Sequence, residues 1–507
     1  MVKYCYEISK TQVIHQFEFI TKIEKKMDDL SEIIDKGRII ARANHVLTPE
    51  LCAQIGASHG TYLRNNGYKV IVAARDYFNN SRMLKRAYLA GVMSTGINIL
   101  NLHYAPVPVL QFCIRRFGAD GGVYLSSGHV YEGDTGIRFY DTSGIEFQVT
   151  HLQSINQIFK KNKIKRVDPL SIGTLSDITQ TLDVYKGAIP QFVNRKSITD
   201  AGLKVVVDCS YGPTGDITPE ILNSLNVGVI ALNTYYRALD DRLFPDLDSI
   251  RDTSAIVKAA DADLGVIFDS DGSRLLVFDE TGTLVDFEDI IMLLLSNDEY
   301  IQKNKENPII TTSCCSRIID EYAKNFKYTV TRVVNLPGEI SSKLRQERGV
   351  FGAADTFKFY FPIYGPFPDG TFTLLKLLEV LSKRDEPLSS LVRNYPKTIK
   401  VYRSINVRKK VLYNFRQIIK EKLKADNLLI LDNLIGVKIV FAEGTKETGF
   451  KASWVMIRPS LHRSSLILSS ESPDPEISEQ LIQKIQEILK PKKKAVKKTT
   501  LKKKSKK

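Results

Sequence analysis

The sequence predicts an α/β fold class, with three consecutive α/β domains built on mixed sheets and a smaller C-terminal α+β domain after them. Three observations predict it. Apolar runs of strand length alternate with helix-period segments from about residue 38 to about residue 400, the order that builds a mainly parallel sheet covered on both faces. The triplet Thr-Pro-Glu appears twice, at 48–50 and 218–220, each time offering an N-cap hydroxyl, a proline at the first helical position and an acid at the positive end of the dipole. Beyond residue 401 the alternation becomes less regular and ends in an amphipathic helix over 475–489.

The 507 residues therefore divide into an N-terminal helical extension (1–37), domain I (38–187), domain II (188–286), domain III (287–400), domain IV (401–489) and a Lys-rich tail (490–507) that reads as disordered. The stripe Ile20, Ile23, Met27, Leu30 and Ile34 predicts a helix over 11–36. In domain I helices are expected over 48–64, 81–94 and 109–117, and strands over 69–73 and 98–102. A strand through Val123, Tyr124 and Leu125 opens into the polar turn Ser126-Ser127-Gly128-His129, with a second turn over 133–136. Ligands bind where parallel strands of such sheets end, so this stretch is a site candidate; a plain Ser- and Gly-rich turn is the competing reading. Domain II has a strand at 203–208 and a hairpin, 264–268 with 275–278, whose tip carries carboxylates. Domain III follows with strands at 308–312 and 328–334 and helices at 317–326, 339–348 and 373–381.

Bulk properties narrow the class. Apolar content of 43% and charged content of 25% suit a globular protein with an ample core. No run reaches the roughly 18 apolar residues of a membrane span, and the first ten residues lack a signal peptide's order, so a cytoplasmic location without membrane partners is expected. Six scattered cysteines form no C-x-x-C and read as buried thiols. The net charge of +15 sits mostly in residues 490–507, which hold eleven lysines and no acid. That tail suits non-specific nucleic-acid contact or plain solubilisation.

Several pieces, in order, resemble the α-D-phosphohexomutase superfamily of phosphoglucomutase and phosphomannomutase: Gly118-Ala119-Asp120-Gly121-Gly122-Val123, Asp261-Ala262-Asp263-Leu264-Gly265, the acidic hairpin tip, Phe351-Gly352-Ala353-Ala354-Asp355, Asp369-Gly370, and Ile457-Arg458-Pro459-Ser460. The resemblance covers nearly all of residues 38–489. It implies four domains around a central cleft, an isomerase acting by intramolecular phosphoryl transfer from a phosphoserine, Mg²⁺ held by three aspartates, and a hexose phosphate as substrate.

At the residues that would do this chemistry the chain departs from the family pattern. The nucleophile loop, T-A-S-H-N-P in the family, reads Ser126-Ser127-Gly128-His129-Val130-Tyr131, so the phosphoserine position is Gly128, which has no oxygen to phosphorylate. Ser127 and Ser126 are neighbouring hydroxyls, and His129 stays in register as a proton shuttle or phosphate contact. The metal loop D-G-D-G-D-R reads Asp269-Ser270-Asp271-Gly272-Ser273-Arg274, with a serine for the third carboxylate. Weak Mg²⁺ binding through Asp269, Asp271 and Ser273 stands against a metal-free turn, the favoured reading. The sugar loop G-E-P-S-G-H reads Ala353-Ala354-Asp355-Thr356-Phe357-Lys358, losing the glutamate and keeping a hydroxyl at Thr356. The arginine expected after Arg75-Asp76 is Phe78, and Arg38 or Arg42 stands where the first arginine loop would be. In domain IV, Arg458, Ser460, His462 and Arg463 remain for a substrate phosphate, as do Arg138 and Arg274, with Thr356 and Lys358, in the earlier domains.

These losses fall in separate domains while the glycines and apolar runs that build the fold persist. The favoured expectation is a phosphohexomutase-like protein of carbohydrate metabolism without mutase catalysis, a pseudoenzyme that binds sugar phosphate or an unknown protein partner. The alternatives are a divergent phosphoglucomutase or phosphomannomutase that uses Ser126 or Ser127, and a nucleic-acid-associated protein that acts through its tail.

Overall fold

Four sheets carry the chain. The computed structural model describes residues 27–127, 133–235, 245, 247–423, 428–432, 436–441, 453–459, 465–472 and 474–489. The Lys-rich tail lies outside the described residues. Domain I holds β1 (Ile34–Asp35), β2 (Arg38–Arg42), β3 (Val70–Arg75), β4 (Asn98–Tyr104), β5 (Gly122–Ser127), β6 (Asp134–Tyr140) and β7 (Leu175–Asp177), in the order β1-β2-β6-β5-β3-β4-β7. Strands β5, β3, β4 and β7 run parallel, and β6, β2 and β1 add antiparallel pairs on one side. Its central strand β3 is buried on both faces, as its run Ile71-Val72-Ala73-Ala74 requires. Two helices, Pro49–Asn65 and Asn79–Met93, cross in backbone contact: a Cβ on Gly56 would lie 2.1 Å from the Tyr88 carbonyl oxygen, so only glycine permits the approach.

Domains II and III share one plan. Domain II has β8 (Lys204–Asp208), β9 (Gly228–Leu232), β10 (Leu264–Phe268) and β11 (Leu275–Asp279), ordered β11-β10-β8-β9; domain III has β12 (Ile309–Thr312), β13 (Val330–Val333), β14 (Phe351–Ala354) and β15 (Lys358–Tyr360), ordered β13-β12-β14-β15. In each, three parallel strands end in a hairpin whose return strand is the antiparallel edge. The two hairpin tips meet, since the Leu275 N–H donates to the Phe357 carbonyl at 3.1 Å.

One apolar core, with Val72, Tyr124, Phe268, Val277, Phe351 and Phe372 among its members, runs through all three domains. Backbone bonds join them as well. The Val107 N–H, in the first turn of the helix Val107–Arg116, donates to the Asp271 carbonyl at 2.9 Å, and the Gly370 N–H, in the first turn of the helix Gly370–Leu381, to the Gly272 carbonyl at 3.0 Å. Asp369 caps that second helix through the Phe372 N–H at 3.0 Å and also accepts from the hydroxyls of Tyr185, at 2.6 Å, and Tyr364.

The contact pattern splits the chain into Met1–Pro396 and Lys397–Lys507. The second unit is an antiparallel sheet of β16 (Ile399–Asn406), β17 (Leu428–Asp432), β18 (Val437–Phe441), β19 (Trp454–Pro459) and β20 (Ser465–Ser472), ordered β16-β20-β19-β18-β17. The helices Lys409–Lys422 and Pro475–Leu489 close its core through Ile419, Leu481 and Ile485. Among the described residues no helix is long and apolar enough to cross a membrane. Cys52, Cys113, Cys209 and Cys315 are buried thiols as expected, Cys314 is half-buried, and Cys5 lies outside the described residues.

Four local expectations are corrected. The helix expected over 11–36 is, in its described part, a short 3-10 turn at Leu30–Glu32 followed by β1. Asp29 binds Lys160 at 2.7 Å and Asn156 at 2.8 Å, and Leu30 is buried in the domain I core, so tertiary contacts override the helical spacing. Ser126 and Ser127 are not turn residues: they extend β5, paired with Gly136 and Thr135 of β6. The turn expected over 133–136 gives way to β6, which begins at Asp134. Thr48 caps its helix through the Leu51 N–H at 3.3 Å, but Thr218 makes no such cap and bonds Thr371 at 2.8 Å instead.

Candidate functional site

The acidic tip between β10 and β11 brings two buried carboxylates against two guanidinium groups. Gly272 has φ +76°, and a Cβ there would stand 2.7 Å from Thr214 Cγ2 and 3.1 Å from Pro106 Cβ, so the turn is wedged between its own domain and Pro106 of domain I. Asp269 and Asp271 are buried. Asp269 Oδ1 accepts the Arg274 backbone N–H at 3.0 Å, and Oδ2 accepts Arg274 Nη1 at 2.5 Å and Ser273 Oγ at 3.4 Å. Asp271 Oδ1 accepts the Ser273 N–H at 3.0 Å, and Oδ2 accepts Arg138 Nη2 at 2.9 Å. Burial, with the adjacent Asp271 charge, pushes the Asp269 carboxyl up against the pull of Arg274.

Arg138 comes from the middle of β6 in domain I and is the largest fully buried side chain of the described residues. The nitrogen that reaches Asp271 also lies 3.4 Å from Ser126 Oγ, and the guanidinium sits 5.0 Å over the Tyr124 ring. Burial alone would lower it, but Tyr140, Asp271 and Glu146 together hold it above its ordinary value, so it is a permanent cation. Arg38 and Glu146 form a forked pair at 2.5 and 2.8 Å. Half-buried Lys358, at the start of β15, is pushed down to about 7 by burial and by the Arg274 charge, with Asp271 pulling the other way. Arg38, Arg138 and Arg274 match Asp269, Asp271 and Glu146 in number at this junction, and Lys358, when protonated, adds the positive charge that suits an anion.

The two serines are held from behind. The Ser127 N–H donates to Asp76 Oδ2 at 2.5 Å, and the Phe78 N–H donates to Asp76 Oδ1 at 3.1 Å. Burial pushes the Asp76 carboxyl up to about 6 against these bonds. Ser126, through Arg138, is therefore linked to the acidic tip. The expected Gly128, His129, Ser460, His462 and Arg463 lie outside the described residues. Thr356 is half-buried in the turn between β14 and β15, and Arg458, at the end of β19, has a buried Nε without a hydrogen-bond partner among the described residues.

These donors do not fit a divalent cation. Mg²⁺ requires near-octahedral oxygen ligands with free lone pairs. Here each of the four oxygens of Asp269 and Asp271 accepts an N–H, which by itself leaves a carboxylate oxygen a second lone pair, but two of those N–H groups belong to guanidiniums whose charge repels a cation, and in place of a third carboxylate stands Ser273, whose hydroxyl turns to Asp269.

Asp76 and Glu146 were not singled out from sequence. Each is a lone acid whose partner lies far along the chain, Ser127 for one and Arg38 for the other. The only local signal was Asp76 directly after the buried strand β3.

The domains match known proteins. Family models described as phosphoglucomutase/phosphomannomutase α/β/α domains I, II and III match residues 34–166, 183–282 and 287–399. A probable phosphoglucosamine mutase of Pyrococcus furiosus is 27% identical over 452 residues, 88% of this chain and 95% of the relative. A phosphoglucomutase/phosphomannomutase of Thermococcus kodakarensis is 26% identical over 442 residues, 86% of this chain and 93% of its own. The crystal structure of a Burkholderia thailandensis phosphoglucomutase/phosphomannomutase family protein superposes with a TM-score of 0.76 at 19% identity, covering 90% of this chain and 96% of that one, and shares the fold. With three domain models matched in order and the β10–β11 and β14–β15 tips meeting at one charged junction, the chain belongs to the phosphoglucomutase/phosphomannomutase family of the α-D-phosphohexomutase superfamily.

Proposed function

We propose that this protein binds a hexose phosphate where domains I, II and III meet, and that it does not run the phosphoryl exchange of a mutase. One observation carries the reading. The family's phosphoserine position aligns with Gly128, and the two nearest hydroxyls, Ser126 and Ser127, are buried residues of the β5 ladder, one beside the Arg138 guanidinium and the other with its backbone on Asp76. In-line transfer tolerates a displacement of about 1 Å poorly, so a serine fixed in the strand is a weak substitute nucleophile.

Binding needs less. Lys358 supplies positive charge and Arg38 and Arg274 supply N–H donors for a phosphate monoester, and Thr356 offers a hydroxyl to the sugar. The second reading, an active mutase using Ser126 or Ser127, draws on the relatives whose names say mutase along most of this chain.

One experiment separates them. The purified chain is incubated with Mg²⁺ and glucose 1,6-bisphosphate, phosphorylation is mapped by mass spectrometry, and conversion of glucose 1-phosphate to glucose 6-phosphate is followed. The expected outcome is no phosphate on either serine and no conversion, with a raised melting temperature in the presence of glucose 1-phosphate. Phosphate on Ser126 or Ser127 together with conversion establishes the mutase instead.

A further inference from the structure

We infer that Arg138 and Arg274 take the place of a divalent cation at the β10–β11 tip, so that the site holds its ligand without bound metal. The clause about the ligand rests on the phosphate-binding reading above; the clause about the metal does not.

Charge and geometry both lead there. The tip carries two buried carboxylates, and two guanidinium groups meet them, Arg274 on Asp269 at 2.5 Å and Arg138 on Asp271 at 2.9 Å. Two fixed positive charges against two negative ones leave no surplus to attract a cation. An entering ion would first have to displace the charge-assisted bonds on the two Oδ2 atoms, while the two Oδ1 atoms accept N–H groups of the turn. Arg138 is 2% exposed and rises from the middle of a strand, so it has no route to solvent once displaced and would be left buried without its counter-charge.

The same substitution changes what the tip does for the fold. A metal held by three residues of one turn ties that turn to itself. The Arg138–Asp271 pair joins β6 of domain I to the tip of domain II, beside the Val107 N–H that donates to the Asp271 carbonyl. Ser273 completes the picture, because a third carboxylate there would restore a net negative charge that the two arginines do not balance.

The test uses the full chain, freed of metal by a chelator. Mn²⁺ alone is titrated and its free electron paramagnetic resonance signal followed; in parallel, the melting shift produced by glucose 1-phosphate is measured with Mg²⁺ and with chelator. Wild type is expected to take up no more Mn²⁺ than Asp271→Asn, and the melting shift is expected to be the same in both conditions. A stoichiometric Mn²⁺ site lost in Asp271→Asn overturns the inference, as does a melting shift that needs Mg²⁺. Arg138→Met, checked for folding by circular dichroism, is expected to bind Mn²⁺ at least about tenfold more tightly than wild type, while Arg138→Lys gains nothing. A folded Arg138→Met protein with no gain overturns the role given to Arg138, and if that variant does not fold, the wild-type titration decides. Absence of any melting shift in either condition defeats the phosphate-binding reading and leaves the Mn²⁺ result standing on its own.

Discussion

Strand β11 is bounded by two acidic turns, Asp269-Ser270-Asp271-Gly272 before it and Asp279-Glu280-Thr281-Gly282 starting at its last residue, each with a left-handed glycine, at φ +76° and +70°. Their carboxylates are employed differently. Asp279 Oδ1 accepts from the Thr281 N–H at 3.0 Å, the Thr281 hydroxyl at 2.6 Å and the Thr283 N–H at 2.9 Å, all within four residues, which is how an aspartate builds a turn. Glu280 reaches farther, to the Ser389 hydroxyl and N–H, but to neutral donors only. Asp271 reaches a guanidinium 133 residues away, in another domain. Two acids and a glycine in each turn therefore hide unequal duty, and what separates a site from a turn is the charge and chain distance of the partner.

The largest expected effect breaks that contrast at its strongest point. Arg138→Met removes the guanidinium that faces buried Asp271 and is expected to cost about 3–5 kcal/mol of stability in denaturant unfolding. Combining it with Asp271→Asn should cost clearly less than the two single changes summed. If Arg138→Met costs no more than Asp279→Ala, the two turns are equivalent after all.

Asp76 is an intermediate case, a buried acid that serves its own turn and a distant amide without a guanidinium on its carboxylate. Its carboxyl is raised from 3.8 to about 6 in the folded protein, so its stabilising contribution is complete below about pH 4 and is lost as pH rises through 6. The stability of Asp76→Asn relative to wild type should therefore improve by about 3 kcal/mol between pH 4 and pH 7, measured by denaturant midpoints across that window. A flat difference would mean that the carboxyl is held ionised, as a site acid is.

Smaller changes sharpen the other side. Asp279→Ala should cost about 1–2 kcal/mol by calorimetry and leave the glucose 1-phosphate melting shift unaltered, since its bonds are local. Glu280→Gln, which keeps an acceptor for Ser389, should stay within about 0.5 kcal/mol.

The fold was legible where local pattern and tertiary demand agree. The strand expected at 264–268 is β10 as built, because an apolar run bounded by acids has one stable place in a sheet. The helix expected from Thr48 begins at Pro49, with the hydroxyl of Thr48 on the Leu51 N–H. Legibility failed where a distant partner outvotes the neighbours. Ser126 and Ser127 carry turn chemistry, yet β6 returns alongside and draws them into the ladder. Leu30 has helical spacing but belongs to the domain I core. For the site, both aspartates, Arg138, Arg274 and Lys358 were marked from sequence, but not that Arg138 answers Asp271 and Arg274 answers Asp269. The Arg138–Asp271 pair exists only once domain I is folded against domain II, and the Arg274–Asp269 pair only once the turn closes on itself.

Two consecutive carbonyls of the acidic tip, those of Asp271 and Gly272, accept the first-turn amides of helices from domains I and III. Amides in the first turn of a helix have no partner within it and ordinarily exchange with water quickly. Here Val107 and Gly370 are sheltered only while the tip stays seated between its neighbours, so their deuterium uptake is a clock for the parting of the three domains. Both should accelerate together when the Arg138–Asp271 contact is cut, and slow together when a ligand draws the junction shut.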